Sequence, residues 1–331
     1  MATEASPLVG SRNRRIVVVV AVGAAAAAAA VVGATLLQTR GERTTVGSRS
    51  GRPPLELEFG VASGPEARTL SRAQALYGRG QVQGAAPLFS RYRSPAAQIG
   101  SAFAAWRDGH GLRTLEALAT QYPRSALVAL HLGWADYWTH QNSAAAAAWG
   151  RAAQLGADSP YGVDAEDALH SGPPGLPPIV IGLELPKALL NLPAAQQVAA
   201  LKRAAAGTDV RAKLLYGATL WNLLRMPISA ERELAAAARL APHDAVARAA
   251  AAVALFSKAN RTRAFAHLGP LTAVFPRSAA VEFHLGVLLL YIGENAKAVG
   301  HLRAAVADGP RSPYAKPAQT LLASLVRTRS K

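Results

Sequence analysis

The feature that most constrains the fold is a 34-residue period in the C-terminal third of the chain. Segments that begin at Arg211, Ala245 and Ala279 align so that small, large and proline residues recur at fixed positions. The aligned residues are Ala218, Ala252 and Gly286 at position 8; Ala230, Ala264 and Ala298 at position 20; Leu234, Leu268 and Leu302 at position 24; and Pro242, Pro276 and Pro310 at position 32. A period of this length is typical of repeat architectures, in which neighbouring units bury a continuous core.

The order of small, large and proline residues has a physical reason. Two helices pack closely where one presents Ala or Gly and the other fills the gap with a larger side chain; we expect position 8 to face position 20. Proline lacks a donor N–H, so position 32 ends the second helix. The pattern resembles the tetratricopeptide family, in which each repeat is two antiparallel helices. The resemblance implies an all-α, tetratricopeptide-like α-solenoid of helix-turn-helix repeats.

A second array lies upstream, because residues 121–133 match residues 274–286 at eight of thirteen positions. The resemblance covers residues 66–159 more loosely and residues 211–312, with three repeats, closely. Between the arrays, a Pro/Gly-rich connector over residues 160–210 excludes regular helix around residues 170–178. We expect it to continue through the apolar run Ile179–Leu185 into a helix over residues 193–206. Residues 313–331 are predicted to form a capping helix and a basic tail.

The N-terminal region carries a 22-residue uncharged run, residues 16–37, which follows a basic tail over residues 1–15. At 1.5 Å per residue this run is long enough for one transmembrane helix. A signal peptide cleaved after residues 32–34 is the alternative. The arginine cluster before the run favours an orientation with the repeats outside the cytoplasm. Residues 38–65 are then expected to form a flexible linker, and the combination resembles membrane-anchored bacterial members of the family.

The composition and the motifs of the chain exclude several classes of function. The chain has no cysteine, which excludes disulfides and zinc thiolate sites, and its net charge of +16 includes no run typical of nucleic-acid binding. No catalytic motif with recognisable spacing occurs. The shared repeat position of His131 and His284 follows from the periodicity without a metal. We therefore expect no enzyme activity, no cofactor, no metal site and no nucleic-acid partner.

The resemblance implies a binding groove lined by the first helix of each repeat. The candidate groove residues are Leu130, His131, Trp134, Tyr137, Trp138, Tyr216, Phe256, Phe283, His284 and Tyr291. An apolar wall of this size needs a cover. One candidate is a protein or peptide partner anchored on Trp134 and Trp138; the other is the chain's own segment Ile179–Leu185, folded back as a strap.

Two functions remain. The first is a membrane-anchored scaffold that mediates protein–protein interaction in the cell envelope. The alternative is a non-catalytic accessory domain of an envelope assembly or enzyme system, which contacts anionic lipid or polymer through its basic surface.

Overall fold

The computed structural model describes residues 51–106 and 110–329, and this part of the chain is helical throughout its regular elements. The α-helices are α1 (Pro65–Gly78), α2 (Val82–Phe89), α3 (Pro95–Ala104), α4 (His110–Gln121), α5 (Ala126–Trp138), α6 (Asn142–Leu155), α7 (Pro160–Leu169), α8 (Ala194–Ala205), α9 (Val210–Asn222), α10 (Pro227–Leu240), α11 (Ala245–Val253), α12 (Thr262–Leu268), α13 (Leu271–Val274), α14 (Ala279–Tyr291), α15 (Asn295–Asp308) and α16 (Ala315–Arg329), and a short 3₁₀ helix spans Lys187–Leu189.

The helices pair in chain order, which gives a tetratricopeptide-like solenoid. In the N-terminal array α1 packs on α2, α3 on α4 and α5 on α6; in the C-terminal array α9 packs on α10, α11 on α12 and α14 on α15. Helix α7 covers the end of the first array and α16 covers the end of the second.

The repeat prolines lie where the sequence predicts. Pro242 and Pro310 each follow the last residue of a second helix by two positions, and Pro276 follows α13, the short helix after the second helix α12, by two positions. The first helix of the following repeat starts with a side-chain cap. The backbone N–H of Ala247 donates to Asp244, and that of Val281 donates to Ser278.

The packing partner of position 8 differs from the expectation. A Cβ atom built on Gly286 would lie 2.8 Å from Cγ of Leu302, and one on Gly133 would lie 2.4 Å from Cδ1 of Trp149. In these two repeats the large residue at position 24 therefore fills the space over position 8, where we expected position 20. In the repeat that begins at Arg211, Leu234 lies over Gly217, at position 7. Position 20 holds a fully buried alanine in each of the three C-terminal repeats, Ala230, Ala264 and Ala298.

Three segments differ from the sequence prediction in detail. The connector region, residues 160–210, contains the helices α7 and α8 rather than one helix near its end. The capping helix α16 spans Ala315–Arg329, so it takes in most of residues 313–331, which were predicted to be divided between a helix and a basic tail. Residues 53–59, assigned to the flexible linker over residues 38–65, are packed against the N-terminal array, with Leu55 and Leu57 in its core.

The predicted transmembrane helix, residues 16–37, lies outside the residues that the structure describes. Within the described ranges, no helix combines the length and the apolar character that a membrane crossing needs.

Candidate functional site

Each array holds an extended segment of the chain itself on the face formed by its first helices. In the N-terminal array this segment is residues 53–59, the N-terminal strap. Its burial alternates, since Pro53, Leu55 and Leu57 are buried, whereas Glu56 is half-buried and Glu58 is exposed. Alternation is the pattern of an extended chain with one face on a core, and the inward leucines join the same apolar cluster as Ile99 and Phe103.

The C-terminal array holds residues 177–185, the C-terminal strap. Ile179, Val180, Ile181 and Leu185 are all at least 94% buried and belong to the core of this array. The apolar run between the arrays is thus the cover of the C-terminal groove. This is the self-occupied arrangement that the sequence left open beside a partner.

A histidine at the same repeat position binds each strap. The amide N–H of Glu56 donates to Nε2 of His131 over 3.1 Å, and that of Val180 donates to Nε2 of His284 over 3.0 Å. The other ring nitrogen, Nδ1, lies 2.8 Å from the carbonyl of Leu127 in His131 and 2.7 Å from the carbonyl of Ala280 in His284. Because a carbonyl only accepts, Nδ1 carries the proton in both rings, and Nε2 is free to accept.

The carbonyl of the first proline of each strap also accepts a hydrogen bond from an aromatic side chain in both arrays. The hydroxyl of Tyr77 donates to the carbonyl of Pro53 over 2.6 Å, and the indole N–H of Trp221 donates to the carbonyl of Pro177 over 2.7 Å. Both donors lie near the end of the first helix of their array, α1 and α9. Each strap is therefore fixed by polar contacts at two backbone groups, with its aliphatic side chains turned into the groove.

Further polar contacts hold the straps in ways that differ between the arrays. Asn222 binds both backbone groups of Ile179, accepting its N–H over 3.1 Å and donating to its carbonyl over 2.8 Å. In the N-terminal array, Gln74 accepts the N–H of Leu57 over 3.2 Å. The hydroxyl of Tyr161, on α7, donates to the carbonyl of Glu58 over 3.1 Å.

The predicted groove residues fall into two groups. Leu130, His131, Phe256, Phe283, His284 and Tyr291 are at most 4% exposed. Trp134, Tyr137, Trp138 and Tyr216 are half-buried. The structure brings Trp134, Tyr137 and Trp138 into one aromatic cluster with Trp149, in which the rings of Trp134 and Trp149 are 4.9 Å apart. This cluster keeps part of its surface open beside the N-terminal strap.

The predicted groove residues did not include Tyr77 and Trp221, which bind the straps. A signal for the straps was present, because Pro-Pro-Leu-Glu-Leu at residues 53–57 and Pro-Pro-Ile-Val-Ile at residues 177–181 share one pattern. The paired histidines were noted, but without the segments that they bind.

A charged cluster lies where the N-terminal strap meets the junction of the arrays. Arg225 binds Asp164 on α7 and contacts Glu58 at 3.5 Å. Burial raises the pKa of Asp164 to about 6 despite this guanidinium. Burial, with the neighbouring charge of Asp164, raises the pKa of Glu56 to about 7. The Glu56 carboxylate is therefore costly to ionise in its docked position.

A cleft of about 250 Å³ opens at the same junction, between α6, α7, α10 and the segment after α11. Leu176, Ile228 and Phe256 supply apolar lining. At its edge Lys258 binds Asp167 at 2.5 Å and donates to the carbonyl of Pro173 over 2.7 Å. These contacts tie the connector to the C-terminal array and leave Lys258 buried.

Burial lowers the pKa of both His131 and His284 to about 4. The pKa of each histidine in the folded chain lies below the unfolded value of about 6.5. At acid pH the unfolded chain therefore binds a proton that the folded chain does not bind. The stability contributed by each neutral ring is therefore complete above about pH 6.5 and is lost as the pH falls towards 4.

The variant His284→Gln removes this titration while it retains a side-chain acceptor for Val180. We expect its free energy of unfolding to fall less steeply with acid than that of the parent protein between pH 6.5 and 4.5. The slopes of the free energy of unfolding against pH should differ between the two proteins by an amount that approaches one bound proton, about 1.4 kcal/mol per pH unit. Urea unfolding at several pH values measures it, and the buried carboxylates contribute equally to both proteins. Parallel profiles would contradict the assigned environment of His284.

Solved structures similar to this chain are helical-repeat proteins. The TPR2AB domain in the pHSP90 complex of yeast Sti1 is 14% identical, over 79% of this chain and 98% of that one, with a TM-score of 0.30. Yeast Tom70 is 13% identical, over 80% of this chain and 54% of that one, with a TM-score of 0.31. The C-terminal part of a TPR repeat-containing protein from Cytophaga hutchinsonii is 14% identical, over 76% and 99%, with a TM-score of 0.28.

No protein-family model and no curated protein matches the sequence. At the identities and TM-scores of the solved structures, no function carries over to this chain. Among the described residues, no group of three or more His, Cys, Asp or Glu side chains is placed to hold a metal ion.

Proposed function

We propose that this chain is a non-catalytic scaffold of the cell envelope, anchored in the membrane through residues 16–37, which binds a protein partner through its N-terminal groove. The observation that carries the proposal is that both grooves hold an extended polypeptide through backbone hydrogen bonds and inward aliphatic side chains. A surface that binds one extended segment in this way is suited to bind another.

The N-terminal groove is the better candidate for exchange. Among the described residues, its strap is connected to the helices of the array through residues 60–64. The C-terminal strap is attached to helices on both sides and buries four consecutive or near-consecutive aliphatic residues. The half-buried aromatic cluster, which includes Trp138, would add anchoring area for a partner.

The experiment combines fractionation with site-specific photocrosslinking in intact cells. The full chain is expected in the membrane fraction after carbonate extraction, whereas a chain that starts at Gly51 is expected in the soluble fraction. A photoreactive residue at position 138 should yield a crosslinked partner. The same residue at Leu155, exposed on α6, is the matched control and should yield none.

Release of the strap should increase the crosslink from position 138, because the groove is then open. The double variant Leu55→Ser and Leu57→Ser tests this, since serine at both sites removes the apolar contacts. An equal crosslink from positions 138 and 155, or one that strap release does not change, would contradict a partner in this groove. A mature N-terminus near Thr35, or release by carbonate, would contradict the anchor.

A further inference from the structure

The two arrays share one arrangement, and the strap is part of it. Each begins with a Pro-Pro-aliphatic-x-aliphatic segment, contains three helix pairs and ends with a single covering helix, α7 or α16; the C-terminal array has in addition α8, which lies between its strap and its first pair and packs on α9. A ring donor in the first pair and a histidine in the third bind the strap at equivalent backbone groups. Two grooves of one design thus hold two segments of one pattern.

Each position of the pattern has a chemical reason in the structure. Two successive prolines favour an extended backbone and have no N–H groups to satisfy in the groove. The carbonyl of the first proline accepts from Tyr77 or Trp221. The aliphatic residues on either side of x, such as Ile179 and Ile181, fill the apolar core. The N–H of x donates to the histidine, and this hydrogen bond selects an extended backbone at that residue.

The residue at x is where the two straps differ. In the C-terminal strap it is Val180, which is 4% exposed and packs in the core. In the N-terminal strap it is Glu56, whose Oε2 is buried without a hydrogen-bond partner among the described residues; its carboxylate lies near Asp164 and Asp167, and the indole of Trp134 and the guanidinium of Arg225 are its favourable neighbours. A mostly buried carboxylate beside two others disfavours docking. The N-terminal strap is therefore the weaker ligand of the two.

We propose that the N-terminal groove is a recognition site for extended Pro-Pro-aliphatic-x-aliphatic segments, and that a partner segment with an uncharged residue at x displaces the resident strap. The inference rests on the proposed function, since it names the chemical class of the groove's partner. The occupant to which it commits is a segment of another protein. The connection through residues 60–64 is short, and it favours each chain's own strap over that of a second copy.

The test uses fluorescence anisotropy with the labelled peptide Gly-Arg-Pro-Pro-Leu-Val-Leu-Glu-Phe-Gly, which is the strap sequence with valine at x. The protein is the full chain in detergent, carrying Leu55→Ser and Leu57→Ser to release its own strap. We expect saturable binding, at least tenfold weaker binding to the parent protein, and at least fivefold weaker binding of the glutamate peptide at pH 8.

Two controls isolate the groove contacts. A peptide N-methylated at x cannot donate to His131 and should bind at least tenfold more weakly. When His131→Phe is added to the released variant, its affinity for the unmethylated valine peptide should fall. Its affinities for the unmethylated and the N-methylated peptide should then differ less. Circular dichroism checks that the variants are folded. If the released variant unfolds, Leu57→Ala in the full chain serves instead, with the same order of affinities expected.

Binding that is equal for the N-methylated or a scrambled peptide would overturn the inference, as would absence of binding to a folded, released variant. Concentration-dependent dimers of the parent protein, lost with Leu57→Ala, would overturn the commitment to another protein and assign the groove to a second copy. If the peptide fails while the crosslink from position 138 persists, the proposed scaffold function stands and only the ligand class is wrong.

Discussion

Replacing Gly286 by leucine is expected to lower the free energy of unfolding by about 3 kcal/mol, at the upper end of what overpacking costs. Gly286 lies against Leu302, and a Cβ atom there would also come within 3.3 Å of the Leu302 backbone nitrogen. Since a backbone atom cannot turn aside as a side chain can, α14 and α15 must separate. The last helix pair and α16 should loosen first.

Gly300 provides a matched control on the same helix pair, because it is exposed on α15 and a Cβ atom there would contact nothing within 4 Å. Gly300→Leu is expected to be neutral or to stabilise by up to about 1 kcal/mol, since glycine is a poor helix former. Urea unfolding of both variants measures the contrast. Equal effects of the two substitutions would show that the helix register described for this pair is wrong.

Introducing a carboxylate into the C-terminal strap should have a comparable or larger effect. Ile181 is 3% exposed in the core of the array. A charged aspartate at this site cannot stay buried, so Ile181→Asp should release the strap and expose the core beneath it, at a cost of about 4 kcal/mol. Ala188→Asp adds the same charge at an exposed position nearby and should change stability by no more than about 0.5 kcal/mol. Denaturant unfolding distinguishes the two.

The helix pairs could be predicted because their determinants are local and periodic. A proline two residues past each second helix, a capping Asp or Ser and a small residue at position 8 all act within one repeat. Position 20 was wrongly predicted as the partner of position 8, because spacing along a helix does not show which side chain of the neighbouring helix contacts that position. Leu302 reaches Gly286 because its side chain points back towards the preceding turn.

The straps could be predicted only in part, since their positions depend on contacts far apart in sequence. Glu56 meets a histidine 75 residues away, and Val180 meets one 104 residues away. The run Ile179–Leu185 is apolar enough to cover the groove, so its burial there was among the alternatives. Residues 53–59 carry only three large apolar side chains, Leu55, Leu57 and Phe59, and they lie within a Gly-, Ser- and Arg-rich stretch. Their composition is that of a linker, and only comparison with residues 177–181 distinguishes them.

The occupation of both grooves by the chain itself is tested most directly by amide hydrogen exchange of the parent protein. The amides of Glu56 and Val180, which donate to His131 and His284, should exchange at least about 1,000-fold more slowly than in an unstructured peptide. Protection at Val180 should be lost in Ile181→Asp and kept in Ala188→Asp. Exchange at both amides in the folded parent protein within about tenfold of the unstructured rate would contradict the strapped grooves.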